Sequence, residues 1–227
     1  MPPSSTVTEF SDATLDPPVR GFLHTPQSPD GDGIVLTHGA GSNANAPLLV
    51  ALAEAFAVAG ITVLRCDLPY RQARAYGPPG PGDATRDRRG LRNATEALGQ
   101  IAPGRRFLGG HSYGGRQSSM LCADDPQLVE GLLLLSYPLH PPRRPEQARI
   151  QHLPKLNTPA LFVSGTRDPF GTVEELEQAL KLIPARTKLM SVEGAGHDLG
   201  WKGKATKPEL VREIVGAFSE FFGRPDH

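Results

Sequence analysis

The sequence predicts an α/β domain: a mostly parallel central sheet with helices on both faces. Three observations lead there. Short runs rich in aliphatic and β-branched residues alternate with longer stretches of helical periodicity, the pattern of a sheet wound by helices. Several short runs are apolar almost throughout, GIVLTHG (33–39) and LLLLS (132–136) among them, as strands covered on both faces must be. The stretches between successive runs are also long enough to carry the chain back to a parallel neighbour, which a tight hairpin is not.

In chain order, an edge strand is expected at Val19 to His24. Core strands come next at 33–39, 61–67 (ITVLRCD), 105–112 (RRFLGGHS), 132–136, 160–165 (ALFVSG) and 187–194 (TKLMSVEG). Between them lie helices. Ala46 to Ala59 puts Leu48, Leu49, Leu52, Ala55 and Phe56 on one stripe, and Arg86 to Gln100 does the same with Leu91, Ala94 and Leu98. Gly114 to Asp124 and Thr172 to Leu182 supply two more, and Pro208 to Phe222 closes the pattern with Leu210, Ile214, Phe218 and Phe221 on one face.

Two stretches break the rhythm. Residues 68–84 (LPYRQARAYGPPGPGDA) are crowded with proline and glycine and are expected to be neither helix nor central strand. Residues 137–158 (YPLHPPRRPEQARIQHLPKLNT) are proline-rich too, with room for one short helix over Glu146 to His152 and for no separate lid domain. Both come after strands and so lie at the carboxyl edge of the sheet, where open α/β sheets bind their ligands. Residues 1–14 are expected to form a loose tail, and 15–227 one domain.

Composition narrows the function. Hydrophobic residues at 38% and charged residues at 21% suit a soluble globular chain. Lys plus Arg equals Asp plus Glu at 24 each, so no basic excess calls for nucleic acid. No apolar run approaches the ~20 residues of a membrane span. The start, MPPSSTVTEFSDATLD, lacks the cationic head and apolar core of a signal peptide. Cys66 and Cys122, in apolar or helical surroundings, are expected to be buried reduced thiols, which together with that start points to the cytoplasm. No phosphate-loop, H-E-x-x-H or paired C-x-x-C pattern occurs, so neither cofactor nor metal is expected.

The chemistry centres on Gly110-His111-Ser112-Tyr113-Gly114, a G-x-S-x-G with further glycines at 109 and 115. It ends a strand and opens a helix, the setting in which such a serine sits on a sharp elbow. A serine hydroxyl is a weak nucleophile alone and needs a base and an orienting acid. Downstream, in the order this elbow demands, FVSGTRDPFG presents Asp168 after one strand and MSVEGAGHDLG presents His197 after the next. Glu174, Glu175 and Asp198 are weaker candidates for the acid, the glutamates because they fall inside a helix, Asp198 because adjacent side chains rarely align. For the oxyanion, the donors expected are the backbone N–H of Tyr113 and that of Ala40, with Gly41 as the alternative to Ala40. His38 is expected to prop its loop, His111 to point away from the Ser112 side chain, and His24, His140, His152 and His227 to be loop or surface residues. Tyr70, Arg71 and Phe170 are expected to contact substrate, beside Arg74, Tyr76 and Arg116.

With those residues in hand, the chain resembles the α/β-hydrolase superfamily and is most similar to its dienelactone-hydrolase-like branch. Within that branch it resembles small hydrolases related to the testis-expressed protein 30 family and to a regulatory subunit of a chromatin acetyltransferase complex. The matching stretches are THGAGSNANAP, LRCDLPYR, LGGHSYGGR, SYPLHPP, LFVSGTRDPFG and GAGHDL. The resemblance implies an α/β-hydrolase fold in which Ser112 is the nucleophile, Asp168 the acid and His197 the base. The activity it implies is cleavage of a small carboxylic ester or related acyl compound through an acyl-serine. The chromatin relative implies the alternative, a non-catalytic interaction subunit of the same fold.

Overall fold

In the computed structural model, which describes residues 5–201 and 207–223, the sheet has eight strands. They are β1 (Thr6–Asp12), β2 (Val19–Thr25), β3 (Gly33–Thr37), β4 (Thr62–Cys66), β5 (Arg106–His111), β6 (Gly131–Leu135), β7 (Ala160–Gly165) and β8 (Thr187–Val192). The helices are α1 (Pro47–Val58), α2 (Pro69–Ala73), α3 (Asp83–Ile101), α4 (Tyr113–Asp124), α5 (Val173–Leu180) and α6 (Pro208–Phe222). Strand order is β1-β2-β4-β3-β5-β6-β7-β8, antiparallel at the β1-β2-β4 end and parallel from β4 to β8. This is the α/β-hydrolase architecture.

The period of two along each strand divides the core into two layers. Ile34, Leu36, Val63, Phe107, Leu133 and Leu135 face one side with α1 and α6, while Val35, Leu64, Leu108, Leu132 and Leu134 face the other with α3, α4 and α5. The α6 side is fastened by aromatic edges: Phe218 meets Phe56 and Phe107 at centroid distances of 4.9 Å. Strands β3, β4, β6 and β7 are buried along their whole length, which is why they read as largely apolar runs.

Three expectations need correction. Residues 6–12 are not a loose tail: they pair with β2 along their whole length, from Thr6↔Thr25 to Asp12↔Val19. Their side chains are mostly exposed, so main-chain hydrogen bonding, not an apolar pattern, makes the strand. Residues 1–4 of that tail, and His227, lie outside the described residues. Residues 69–73 are helical despite the proline content around them, because Pro69 stands at the first helical position, where a missing N–H and a fixed φ do no harm. The helix expected at Glu146 to His152 is instead two single 3-10 turns, Pro145–Gln147 and Leu153–Lys155. No lid domain separates β6 from β7.

Candidate active site

The elbow is where sequence and geometry meet most closely. Ser112 joins β5 to α4 with φ 51° and ψ −115°, a conformation L residues rarely adopt. It is held by hydrogen bonds on both sides: its N–H donates to Leu135 O (2.8 Å) and its carbonyl accepts from Arg116 N–H (2.9 Å). The glycines two residues away make the approach of strand and helix possible. A Cβ on Gly110 would lie 2.8 Å from Gly115 N, and one on Gly114 would lie 2.6 Å from His38 O. The N–H of Tyr113 belongs to the first turn of α4, whose donors have no intrahelical acceptor.

The loops after β7 and β8 bring Asp168 and His197 to that serine. They are stitched together by Arg167 N–H to Ala195 O (2.9 Å) and by Gly194 N–H to Thr166 Oγ1 (2.8 Å). His197 Nε2 lies 2.8 Å from Ser112 Oγ, and its Nδ1 lies 2.8 Å and 3.0 Å from the two Asp168 carboxylate oxygens. A carboxylate only accepts, so Nδ1 carries the proton and Nε2 is free to accept from the serine. Asp168 is 5% exposed, and its Oδ1 also accepts the Phe170 N–H (2.9 Å). Asp198 turns instead to its own loop, accepting from Gly200 N–H, and Glu175 is occupied by the capping box of α5 and by His140.

The loop after β3 lies against the elbow: a Cβ on Gly39 would be 3.4 Å from Ser112 Cβ. His38 fixes it from inside. Leu68 N–H donates to its Nε2 (3.1 Å), so the neutral ring carries its proton on Nδ1, which donates to Gly39 O (2.9 Å). The Tyr70 hydroxyl donates to Ala40 O (2.8 Å) and reaches Gly39 O (3.3 Å). In a trans peptide the N–H points opposite the carbonyl, so the Ala40 N–H is turned away from His38 and Tyr70. Farther along, Asp67 accepts the Ala44 N–H (2.7 Å), and Arg65 donates to the Ala44 carbonyl.

A family model described as an alpha/beta hydrolase domain matches residues 30–222. The chain belongs to that family. Among solved structures, this alpha/beta-hydrolase-domain protein is similar to a dienelactone hydrolase from Anabaena variabilis, with 23% identity, 98% of each chain covered and a TM-score of 0.71. It is similar to a lidless α/β serine hydrolase from Xanthomonas campestris, with 17% identity over 100% of this chain and 98% of that one, at a TM-score of 0.68. An α/β serine hydrolase homologue from Coxiella burnetii gives 17% identity, coverage of 92% and 96%, and a TM-score of 0.71. These identities speak to the fold.

Within the hydrolase domain, two residues expected to contact substrate are placed otherwise. Tyr70 is 2% exposed, and its hydroxyl is spent on the Ala40 and Gly39 carbonyls. Arg71 is 8% exposed and donates to the carbonyls of Ser42, Ala40, Arg74 and Gly77. Both clasp the loop after β3. Phe170, by contrast, is half-buried and lies against His197, with ring centroids 4.1 Å apart and planes at 31°.

Two features of the site escape sequence reasoning. The His111 Nε2–H donates to His197 O (2.8 Å), so the residue before Ser112 steadies the loop that carries His197. Asp87, in the charged early part of α3, is fully buried beside the elbow, accepting from Tyr70 N–H and the Tyr113 hydroxyl. Spacing along the chain carries no signal for either. His24 and His140, expected on loops or the surface, are buried: His24 accepts from Arg65 Nε (2.8 Å), and His140 pairs with Glu175 (3.1 Å).

The buried histidines set an acid limit on stability. Burial above all holds His24, His111 and His152 down to about 4, from an ordinary 6.5, with the charges of Arg65 and Arg116 adding to it at His24 and His152. Between those values the unfolded chain binds protons that the folded one refuses, so stability falls as pH falls. The thermal midpoint is expected to drop steadily between pH 6.5 and 4, by about 2–4 °C per kcal/mol for a chain of this size. Calorimetry across that range checks it. A midpoint constant down to pH 4 would show that these rings are not held neutral.

Proposed function

We propose that this chain hydrolyses a small carboxylic ester or related acyl compound through an acyl-Ser112 intermediate. The observation that carries the reading is the unbroken hydrogen-bond chain Ser112–His197–Asp168, at 2.8 Å in each link. As Ser112 Oγ attacks the acyl carbonyl, His197 Nε2 takes its proton, and the Asp168 carboxylate stabilises the imidazolium through Nδ1–H. The carbonyl oxygen becomes an oxyanion that accepts from Tyr113 N–H and from Ala40 N–H, or from Gly41 N–H in its place. Collapse expels the alcohol with the proton from His197. Water, deprotonated by the same ring, then releases the acid and restores the serine. Thioesters and small amides suit the same machinery. Of Tyr70, Arg71 and Phe170, it is Phe170, beside His197, that is left to touch the substrate.

Substrate size is set by the short β6–β7 connection. With two 3-10 turns between β6 and β7 and no lid domain among the described residues, little apolar wall is available for a long acyl chain. Each CH₂ contributes ~0.8 kcal/mol only where wall exists to bury it, so kcat/KM on p-nitrophenyl esters is expected to peak from acetyl to butyryl and to fall or plateau beyond about six carbons. A steady rise to decanoyl would overturn the shallow pocket. No turnover of any ester, thioester or amide tried would overturn the hydrolase reading in favour of an interaction subunit.

A further inference from the structure

The proposed reaction makes no use of Asp87, yet Asp87 is 0% exposed and sits beside the nucleophile's helix. A carboxylate without water is expensive, and an apolar residue would fill such a place on α3 at lower cost. Its oxygens are taken by neutral donors: Oδ1 by Tyr70 N–H (3.0 Å) and Oδ2 by the Tyr113 hydroxyl (2.7 Å). Burial pushes this carboxyl up, and those two hydrogen bonds pull against it.

What the two donors have in common is where each leads. Tyr113 carries one of the proposed oxyanion N–H groups on its own backbone. Tyr70 reaches the other, because its hydroxyl donates to Ala40 O (2.8 Å) and approaches Gly39 O (3.3 Å), and the Gly39–Ala40 peptide bears the second N–H. The two phenol rings also meet edge to face, with centroids 5.8 Å apart at 89°. Tyr70 stands on α2, a five-residue helix inside a proline-rich stretch, and Asp87 takes one of that helix's first N–H groups.

We propose that Asp87 is a positioning residue: by tying the Ser112 elbow and the loop after β3 to one carboxylate, it sets the separation of the two oxyanion donors. The proposal rests on Ser112 being the nucleophile. Donors aimed at a developing oxyanion act only when held in place beforehand. A misplacement of about 1 Å is enough to lower a rate by about 100-fold, and the tie works against that loss.

The test uses three variants. Tyr113→Phe and Tyr70→Phe each delete one hydroxyl and leave every backbone N–H in place; Asp87→Asn keeps the shape and removes the charge. Each is expected to lower kcat by about 10- to 100-fold with KM within about twofold, and to slow fluorophosphonate inactivation in parallel, since that adduct also fills the oxyanion site. The Tyr70→Phe/Tyr113→Phe double variant is expected to be about as slow as the slower single one, because the two hydroxyls are links of one chain, Tyr113 to Asp87 and Tyr70 to the Ala40 carbonyl, and breaking either opens the tie. Should Asp87→Asn fail to fold, the two phenylalanine variants carry the test. Turnover by the variants within about twofold of wild type, losses confined to KM, or single losses that multiply in the double variant would each overturn the tie while leaving Ser112 as nucleophile. A wild-type protein that neither turns over esters nor takes up fluorophosphonate would overturn the underlying reading and the tie with it.

Discussion

Replacing Ser112 with alanine is expected to lower kcat by about six orders of magnitude while the protein stays folded. In the proposed reaction this hydroxyl forms the bond to the acyl carbon, and none of its neighbours stands in for it: His111 is engaged with His197 O, and Tyr113 with Asp87. Alanine keeps the strained elbow's hydrogen bonds, which are all main-chain, and loses only the contact to His197, worth about 1 kcal/mol. A residual rate of about 10³–10⁴ over water remains from the oxyanion donors and binding. Initial rates on p-nitrophenyl acetate and fluorophosphonate labelling read the two effects separately. Undiminished labelling of the variant would remove Ser112 as the nucleophile.

Asp168→Asn is expected to lower kcat by about 10⁴-fold. Both Asp168 oxygens lie within 3.0 Å of His197 Nδ1, and Oδ1 also accepts the Phe170 N–H. That second bond keeps an asparagine oxygen where Oδ1 is and turns its NH₂ toward the imidazole. The ring then carries its proton on Nε2, where it no longer accepts from Ser112, and the imidazolium loses its counter-charge. Asp198→Asn, one residue from the base, is expected to change kcat by less than about twofold, since that side chain caps its own turn. The reverse ranking of the two variants would reassign the acid.

Most of this architecture is legible in the amino-acid sequence, and the exceptions have physical reasons. The core strands announce themselves because a strand covered on both faces is built mainly from apolar residues. The order Ser112, Asp168, His197 is legible because each comes just after a strand, and parallel strands deliver their trailing loops to one edge. β1 leaves no such trace: its side chains are largely exposed, so TVTEFSD has no face to mark. The helix at 69–73 is hidden by the prolines and glycines after it, which dominate any reading of the whole stretch. Tyr70 and Arg71 are located near the right edge but given the wrong partner, because chain position does not say whether a polar group meets solvent, ligand or backbone. Asp87 is the extreme case. Amid the arginines of α3 it reads as one more solvated charge, and only the fold discloses that it is sealed beneath the elbow.

The proposed base is mounted on the margin of the sheet. Among the described residues β8 pairs on one side only, with β7, and its side chains are mostly half-buried, whereas Ser112 springs from β5 in the interior. Edge segments with few buried contacts open locally at lower free energy than the centre of a domain. A brief fraying of β8 would therefore draw His197 away from a serine whose own strand is still intact. On the proposed mechanism, catalytic competence and global foldedness are separable in this architecture: the first is lost through an excursion of the periphery, the second only when the central strands part.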